Sequence, residues 1–123
     1  MATHVNTHAV VIGAGPGGYV AAIRLAQRGI ETICVDEKFL GGVCLNVGCI
    51  PSKALITASK RYEQAVKHNA EMGINANGVA VDMTQMQRWK SSVVNKLTGG
   101  VGSLLKGNGI KNIVGRARLS GAN

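Results

Sequence analysis

Apolar residues recur along the chain with two periods. Residues 8–12, His8-Ala9-Val10-Val11-Ile12, are nearly continuous in apolar character, as a parallel strand covered on both faces would be. A helix is predicted over residues 19–28, with Val20, Ile23, Leu25 and Ala26 available for packing. Gly29 stands where a helix C-terminal glycine is expected. Residues 31–36 form a second strand. A long helix over residues 50–70 carries the stripe Ala54, Leu55, Ala58, Tyr62, Ala65 and Val66, with Lys60, Arg61, Lys67 and His68 mainly outside it. Met72-Gly73-Ile74 ends that helix, and residues 75–81 are a turn-rich connection. A second long helix over residues 83–106 repeats Met86, Trp89, Val93, Leu97, Val101 and Leu104 at spacings of three and four. Thr84 with Gln87 reads as its capping box, and Gly99, Gly100 and Gly102 weaken it. Gly107-Asn108-Gly109 is a turn, and residues 110–119 read as a last strand. Strand, helix and strand in succession at the start predict an α/β fold with a parallel sheet.

The chain has 123 residues, about one ordinary domain, and 46% of them are apolar, enough for a packed core. Seventeen glycines and four aromatics point to close backbone approaches and tight turns. No apolar run reaches the roughly 18 residues that cross a membrane. The N-terminal stretch, Met1-Ala2-Thr3-His4-Val5-Asn6-Thr7-His8, has neither the basic-then-apolar order of a secretory signal nor the Arg-rich character of a transit peptide. Three cysteines in such a chain favour a reducing compartment and a catalytic rather than a structural disulfide. The net charge of +8 raises nucleic acid as a partner. The Lys and Arg residues are scattered, however, and few aromatics are available to stack bases. A bound anionic cofactor would use some of the charge. His4, His8 and His68 show no ligand spacing with the cysteines, so no metal site is expected.

The turn between the first strand and helix reads Gly13-Ala14-Gly15-Pro16-Gly17-Gly18, a G-x-G-x-x-G pattern in a βαβ setting. Gly13 makes the tight turn, Gly15 lets the backbone approach a pyrophosphate, and Gly18 lets helix and strand pack closely. The helix N-terminus offers N–H groups and positive potential to the phosphates. Asp36, at the end of the second strand, suits an adenosine ribose, and Glu37 beside it is the fallback ligand. The pattern alone does not separate NAD from FAD. Cys34, mid-strand in an apolar run, reads as a small core residue.

The organising stretch is Gly41-Gly42-Val43-Cys44-Leu45-Asn46-Val47-Gly48-Cys49-Ile50-Pro51-Ser52-Lys53. Two cysteines five apart with flanking glycines suggest a disulfide that opens and closes. Bridging needs Cα atoms within about 7 Å, so the backbone here must bend, and Gly41, Gly42 and Gly48 permit it. Pro51 suits the first turn of a helix. Cys49 would then lie near a helix N-terminus, where backbone partial charge stabilises a thiolate, and Lys53 adds a second positive charge. Cys44, in the looser segment, would be the sulfur that a dithiol attacks.

These two motifs, with Ala54 and Leu55 continuing the second, resemble those of the dihydrolipoamide dehydrogenase family. That family belongs to the class I pyridine nucleotide-disulfide oxidoreductases, flavin disulfide reductases that include glutathione and mercuric reductases. The resemblance spans essentially the whole chain, and Leu97-Thr98-Gly99-Gly100-Val101 also carries it. It implies a Rossmann-like FAD-binding domain with FAD rather than NAD at the first glycine motif, held by Gly13, Gly15, Pro16, Gly17, Gly18, Asp36, Glu37 and Lys38. Gly41, Gly42 and Val43 would line the flavin and pyrophosphate. Cys49 would be the thiolate facing the flavin, Cys44 the sulfur forming the mixed disulfide with dihydrolipoamide, and Lys53 a neighbour of the reactive ring edge. Where the family often has Gly-x-Gly, this chain has Gly115-Arg116-Ala117, so Ala117 would touch the adenine through its backbone. Asp36 stands where the family usually has the longer Glu.

The family is several times longer than 123 residues. It has an NAD domain, a second FAD segment and a dimerisation domain whose His–Glu pair serves the partner subunit. Residues 1–123 are therefore expected to be the N-terminal part of the FAD domain, and inactive alone. The implied whole oxidises dihydrolipoamide on a lipoyl domain and passes electrons to NAD⁺ at a site outside this chain. It works as a homodimer within a 2-oxo acid dehydrogenase complex or the glycine cleavage system, in the bacterial cytoplasm or the mitochondrial matrix. Two other readings stand beside it: a sibling glutathione or mercuric reductase, and a nucleotide-binding fragment without catalysis.

Overall fold

A computed structural model of the chain describes residues 4–121; Met1 to Thr3, part of the N-terminal reading, and Ala122 and Asn123, at the end of the expected domain, lie outside the described residues. Strands β1 (Ala9–Ile12), β2 (Thr32–Asp36) and β3 (Lys111–Val114) form one parallel sheet in the order β1-β2-β3. Val11 pairs with Cys34, and Cys34 with Asn112. β1 and β2 are joined by helix α1 (Pro16–Gln27). Three helices link β2 to β3: α2 (Gly42–Val47), α3 (Cys49–Glu63) and α4 (Met83–Gly107).

Central position decides which strand is covered. Thr32, Ile33 and Cys34 of β2 are all buried. β1 is expected to be covered on both faces, but Val10 and Ile12, which share one face, are 55% and 59% exposed, while Val11 on the other face packs against the core. The core joins Ala14, Ala22, Cys34, Leu45, Val101, Leu105 and Ile110, with Leu40, Cys44 and Ile50 packed against it. The segment that carries the cysteines is thus anchored by Leu45 in the same core as the sheet.

Several boundaries differ from the sequence reading, each for a local reason. α1 begins at Pro16 rather than Tyr19, since proline with its fixed φ is at home in the first helical turn. Gly29, left-handed at φ 79°, closes it. The helix expected over residues 50–70 starts one residue earlier at Cys49 and is regular only to Glu63. It then widens into a π turn, Gln64–His68, and tightens into a 3₁₀ turn, Asn69–Met72. Gly73 at φ 77° ends it. α4 is capped by Asp82 and not by Thr84: the Asp82 carboxylate accepts from Gln85 N–H at 2.9 Å. Its buried face is Val94, Val101 and Leu105, and Trp89, Leu97 and Leu104 of the expected stripe are exposed. The apolar arc of α4 is wider than the surface its neighbours in this chain cover. β3 ends at Val114, although Gly115 N–H extends the ladder by one bond to Asp36 O.

Candidate functional site

Cys44 and Cys49 are disulfide-bonded, with their Cα atoms 4.6 Å apart. In an unbroken α-helix residues five apart are separated by about 8.7 Å, from the rise and radius. The difference is made at Gly48, the single residue between α2 and α3. Room is needed there: a Cβ on Gly48 would lie 3.1 Å from Val43 O and 3.5 Å from the Cys44 Cα. Cys49 is the first residue of α3, as the position of Pro51 implied. Cys44 is the third residue of α2, so the expectation of a looser segment gives way to a short helix. Half-buried Cys44 and exposed Cys49 leave one side of the pair open. Ser52 folds back, its hydroxyl donating to Gly48 O at 2.7 Å. Lys53 is exposed in the first turns of α3.

The other half of the site is the turn from β1 to α1. Gly13 is left-handed at φ 98°, and a Cβ on Gly18 would collide with the Gly13 carbonyl. The first α1 turn closes with Tyr19 N–H on Gly15 O. The Gly17 and Gly18 N–H groups precede that bond, among the donors that the start of a helix leaves without an intrahelical partner. Gly41 N–H donates to Ala14 O at 2.8 Å, and a Cβ on Gly42 would meet the Gly15 Cα at 2.7 Å. The phosphate-type loop and the start of the cysteine helix are therefore in backbone contact.

At the far end of that loop, Asp36 accepts from Ala14 N–H through one oxygen at 2.8 Å and from Lys38 N–H through the other at 2.9 Å. The Ala14 N–H first, and the Lys38 N–H next, hold its carboxyl below the usual Asp range. Glu37 is exposed beside it. A cleft of about 240 Å³ is walled by Ile12, Gly13, Val35, Asp36, Glu37, Gly115, Arg116 and Ala117. Complete ligand pockets run to about 300–1,000 Å³, so this cleft is smaller than a complete pocket. No non-glycine among the described residues has a positive φ, so Ala117 is accommodated without strain. A larger hollow of about 670 Å³ along α4, between Met83 and Asn95, shares no residue with this site.

The structure brings Gly13, Gly15, Pro16, Gly17 and Gly18 together with Gly41 and Gly42. It gathers Asp36, Glu37 and Ala117 at one cleft, where Lys38 enters by its backbone N–H. Val43, beside the cysteines on α2, is 68% exposed, an apolar surface next to the redox pair. Burial pushes the Cys34 thiol up, and Asp36 adds to the shift; Cys34 takes no part in the site. Among the described residues no three His, Cys, Asp or Glu side chains converge as metal ligands, and no helix is long and apolar enough to cross a membrane. Asn46, unremarked in the sequence, bridges two carbonyls of the Gly41-Gly42 turn; only its place inside the cysteine stretch could have drawn attention to it.

Residues 7–123 match the family model described as pyridine nucleotide-disulphide oxidoreductase. The chain is 60% identical over 119 residues to the dihydrolipoyl dehydrogenases of Geobacillus stearothermophilus and Bacillus subtilis. It is 56% identical over 118 residues to that of Haloferax volcanii. The matches cover 96–97% of this chain and 24–25% of the relatives, so the chain spans about a quarter of their length. Among solved structures, the HOCl-induced flavoprotein disulfide reductase RclA from Escherichia coli, in its Cu(II) complex, superposes with a TM-score of 0.74 at 26% identity. That match covers 94% of this chain and 23% of the other.

Proposed function

The chain belongs to the pyridine nucleotide-disulphide oxidoreductase family, and from that premise we propose that it is the N-terminal part of the FAD-binding domain of a dihydrolipoamide dehydrogenase. The observation that carries the reading is the Cys44–Cys49 disulfide, built on a helix whose first residue touches the phosphate loop. A ligand with its pyrophosphate on the Gly17 and Gly18 N–H groups and its adenosine toward Asp36 would run past Gly42 toward the cysteines. FAD rather than NAD at this motif is what the family implies, the flavin being the group that would exchange electrons with the cysteine pair. The residues fit the group: glycines where side chains would collide, free helix N-terminal donors, and exposed Val43 beside the pair.

The chain's own residues account for the thiol chemistry. A dihydrolipoamide thiolate attacks the Cys44 sulfur, the Cys44–Cys49 bond breaks, and a mixed disulfide forms on Cys44. The Cys49 sulfur leaves as a thiolate, favoured by the α3 N-terminus and by Lys53. The second substrate thiol, once deprotonated, attacks the substrate sulfur of the mixed disulfide. Lipoamide departs and Cys44 is left reduced, so two electrons have moved into the cysteine pair. FAD, when bound, supplies the two-electron exchange between the reduced pair and NAD⁺. Asp36 or Glu37 would hold the ribose, and Ala117 would touch the adenine through its backbone.

The NAD site, the acid/base pair and the dimer interface belong to sequence beyond these residues. The partners of the whole are a lipoyl domain and a 2-oxo acid dehydrogenase or glycine cleavage complex, in the cytoplasm of a bacterium or the matrix of a mitochondrion. The test compares NADH formation from dihydrolipoamide with reduction of glutathione disulfide and of mercuric ion by the longer protein that carries this chain. Turnover with dihydrolipoamide alone is expected. Activity only with glutathione disulfide or mercuric ion would replace this reading by a sibling reductase.

A further inference from the structure

Asn46 has no part in the chemistry above, yet its side-chain nitrogen uses both of its N–H donors. Nδ2 donates to Leu40 O and to Gly42 O, each at 2.9 Å. The two carbonyls flank the Gly41-Gly42 turn, where both glycines are left-handed, at φ 87° and 59°. No backbone N–H among the described residues reaches Leu40 O, so the Asn46 amide is its partner. Two adjacent glycines have many conformations to escape into. Apart from Asn46, the turn is held by Gly41 N–H on Ala14 O at 2.8 Å and by two longer bonds, Gly42 N–H on Phe39 O at 3.2 Å and Leu45 N–H on Gly41 O at 3.3 Å. Cys44 follows two residues later on the same short helix. The turn therefore sets where α2 points, and with it where Cys44 lies relative to Cys49 and to the Gly15 backbone. Asparagine is a poor helix former, and α2 has only six residues, so propensity does not explain it there.

We propose that Asn46 is a positioning residue for the Cys44 sulfur, its carboxamide clamping the Gly41-Gly42 turn through Leu40 O and Gly42 O. The proposal rests on the disulfide-exchange reading above. Exchange between sulfurs depends on geometry, and small displacements of a reacting group lower rates out of proportion to their size.

The experiment uses the FAD-loaded longer protein with Asn46→Asp and Asn46→Gln. Aspartate keeps the shape and removes both donors, setting oxygen against two carbonyls; glutamine keeps the donors on a longer arm. Two rates are read: dihydrolipoamide turnover, which needs the cysteine pair, and NADH oxidation by an artificial acceptor that draws electrons from the flavin directly. Asn46→Asp is expected to lower the first about tenfold, the worth of roughly two ordinary hydrogen bonds. It should leave the second and the FAD content within about twofold, with Asn46→Gln between it and the parent. Unchanged dihydrolipoamide turnover in Asn46→Asp overturns the proposal. So does a parallel fall of both rates, or failure of both variants to fold or to hold FAD, since Asn46 would then be a residue of general structure. An unsubstituted protein that fails to turn over dihydrolipoamide while oxidising NADH removes the function reading itself, and this proposal with it.

Discussion

Gly42 lies against Gly15 so closely that a methyl group on Gly42 would come within 2.7 Å of the Gly15 Cα. With the Gly41 N–H bonded to Ala14 O, this contact joins two stretches some thirty residues apart in sequence. One stretch is the glycine-rich turn that opens α1, and the other holds the disulfide. The fold thereby places the redox pair close to that turn.

Gly42→Ala should damage both halves at once. Alanine in the left-handed region costs about 1–2 kcal/mol, and the backbone collision adds roughly 1–3 kcal/mol. Denaturant unfolding should show a total loss of that order, with loss of FAD from the longer protein. Gly100→Ala is the contrast. Gly100 lies inside α4 with nothing within 4 Å of an added Cβ. Alanine there should stabilise by about 1 kcal/mol.

Asp36 gives the fold an acid limb. Its folded-state pKa lies below the unfolded value, because the Ala14 and Lys38 N–H groups favour the carboxylate. That stabilisation is complete above the unfolded value near about pH 4. It is lost as pH falls through that value toward the folded one. Asp36→Asn should lower stability near neutrality by about 1–2 kcal/mol and flatten the decline below about pH 4. Unfolding curves across pH 2–7 check both effects; a variant whose acid limb matches the parent's would show that Asp36 does not supply it.

The three cysteines should separate cleanly in a thiol titration. Native oxidised protein should react at none of them, since Cys44 and Cys49 are bonded to each other and Cys34 is fully buried with its thiol pKa raised. Unfolding without reductant should release one thiol, and a dithiol should then release two more. Three thiols before reduction would mean that the pair does not form.

Asp82 and Thr84 test the helix start. Asp82→Ala removes the carboxylate that accepts from Gln85 N–H and should cost about 1 kcal/mol in thermal or denaturant unfolding. Thr84→Ala, past the cap, should stay within about 0.5 kcal/mol.

The glycine fingerprint, the cysteine pair and the end of α1 at Gly29 were legible in sequence because each rests on a local rule: a tight turn, a bridging distance, a left-handed glycine; the start of α1 at Pro16, ahead of the expected Tyr19, was not. Burial was less so. Val10 and Ile12 of β1 carry the same apolar signal as Ile33 and Cys34 of β2, but they share a strand face left exposed, whereas Val11 between them meets the core. On α4 the apolar arc was plain, but which part meets the core depends on neighbours: Val94 and Leu105 went inside, Trp89 and Leu104 outside. The role of Gly48 as room between two helices, and of Asn46 as a clamp, needed the three-dimensional path of residues 40–49. No spacing rule encodes a side chain bonded to a carbonyl six residues back.

The most direct measurement is the absorption of the FAD-loaded longer protein before and after anaerobic two-electron reduction. If Cys49 is the thiolate that faces the flavin, a long-wavelength thiolate–flavin band should appear in the parent on two-electron reduction and in Cys44→Ser before any reduction, since that variant has no disulfide to open, and should be absent in Cys49→Ser. A band that persists in Cys49→Ser would contradict the assignment of the two sulfurs.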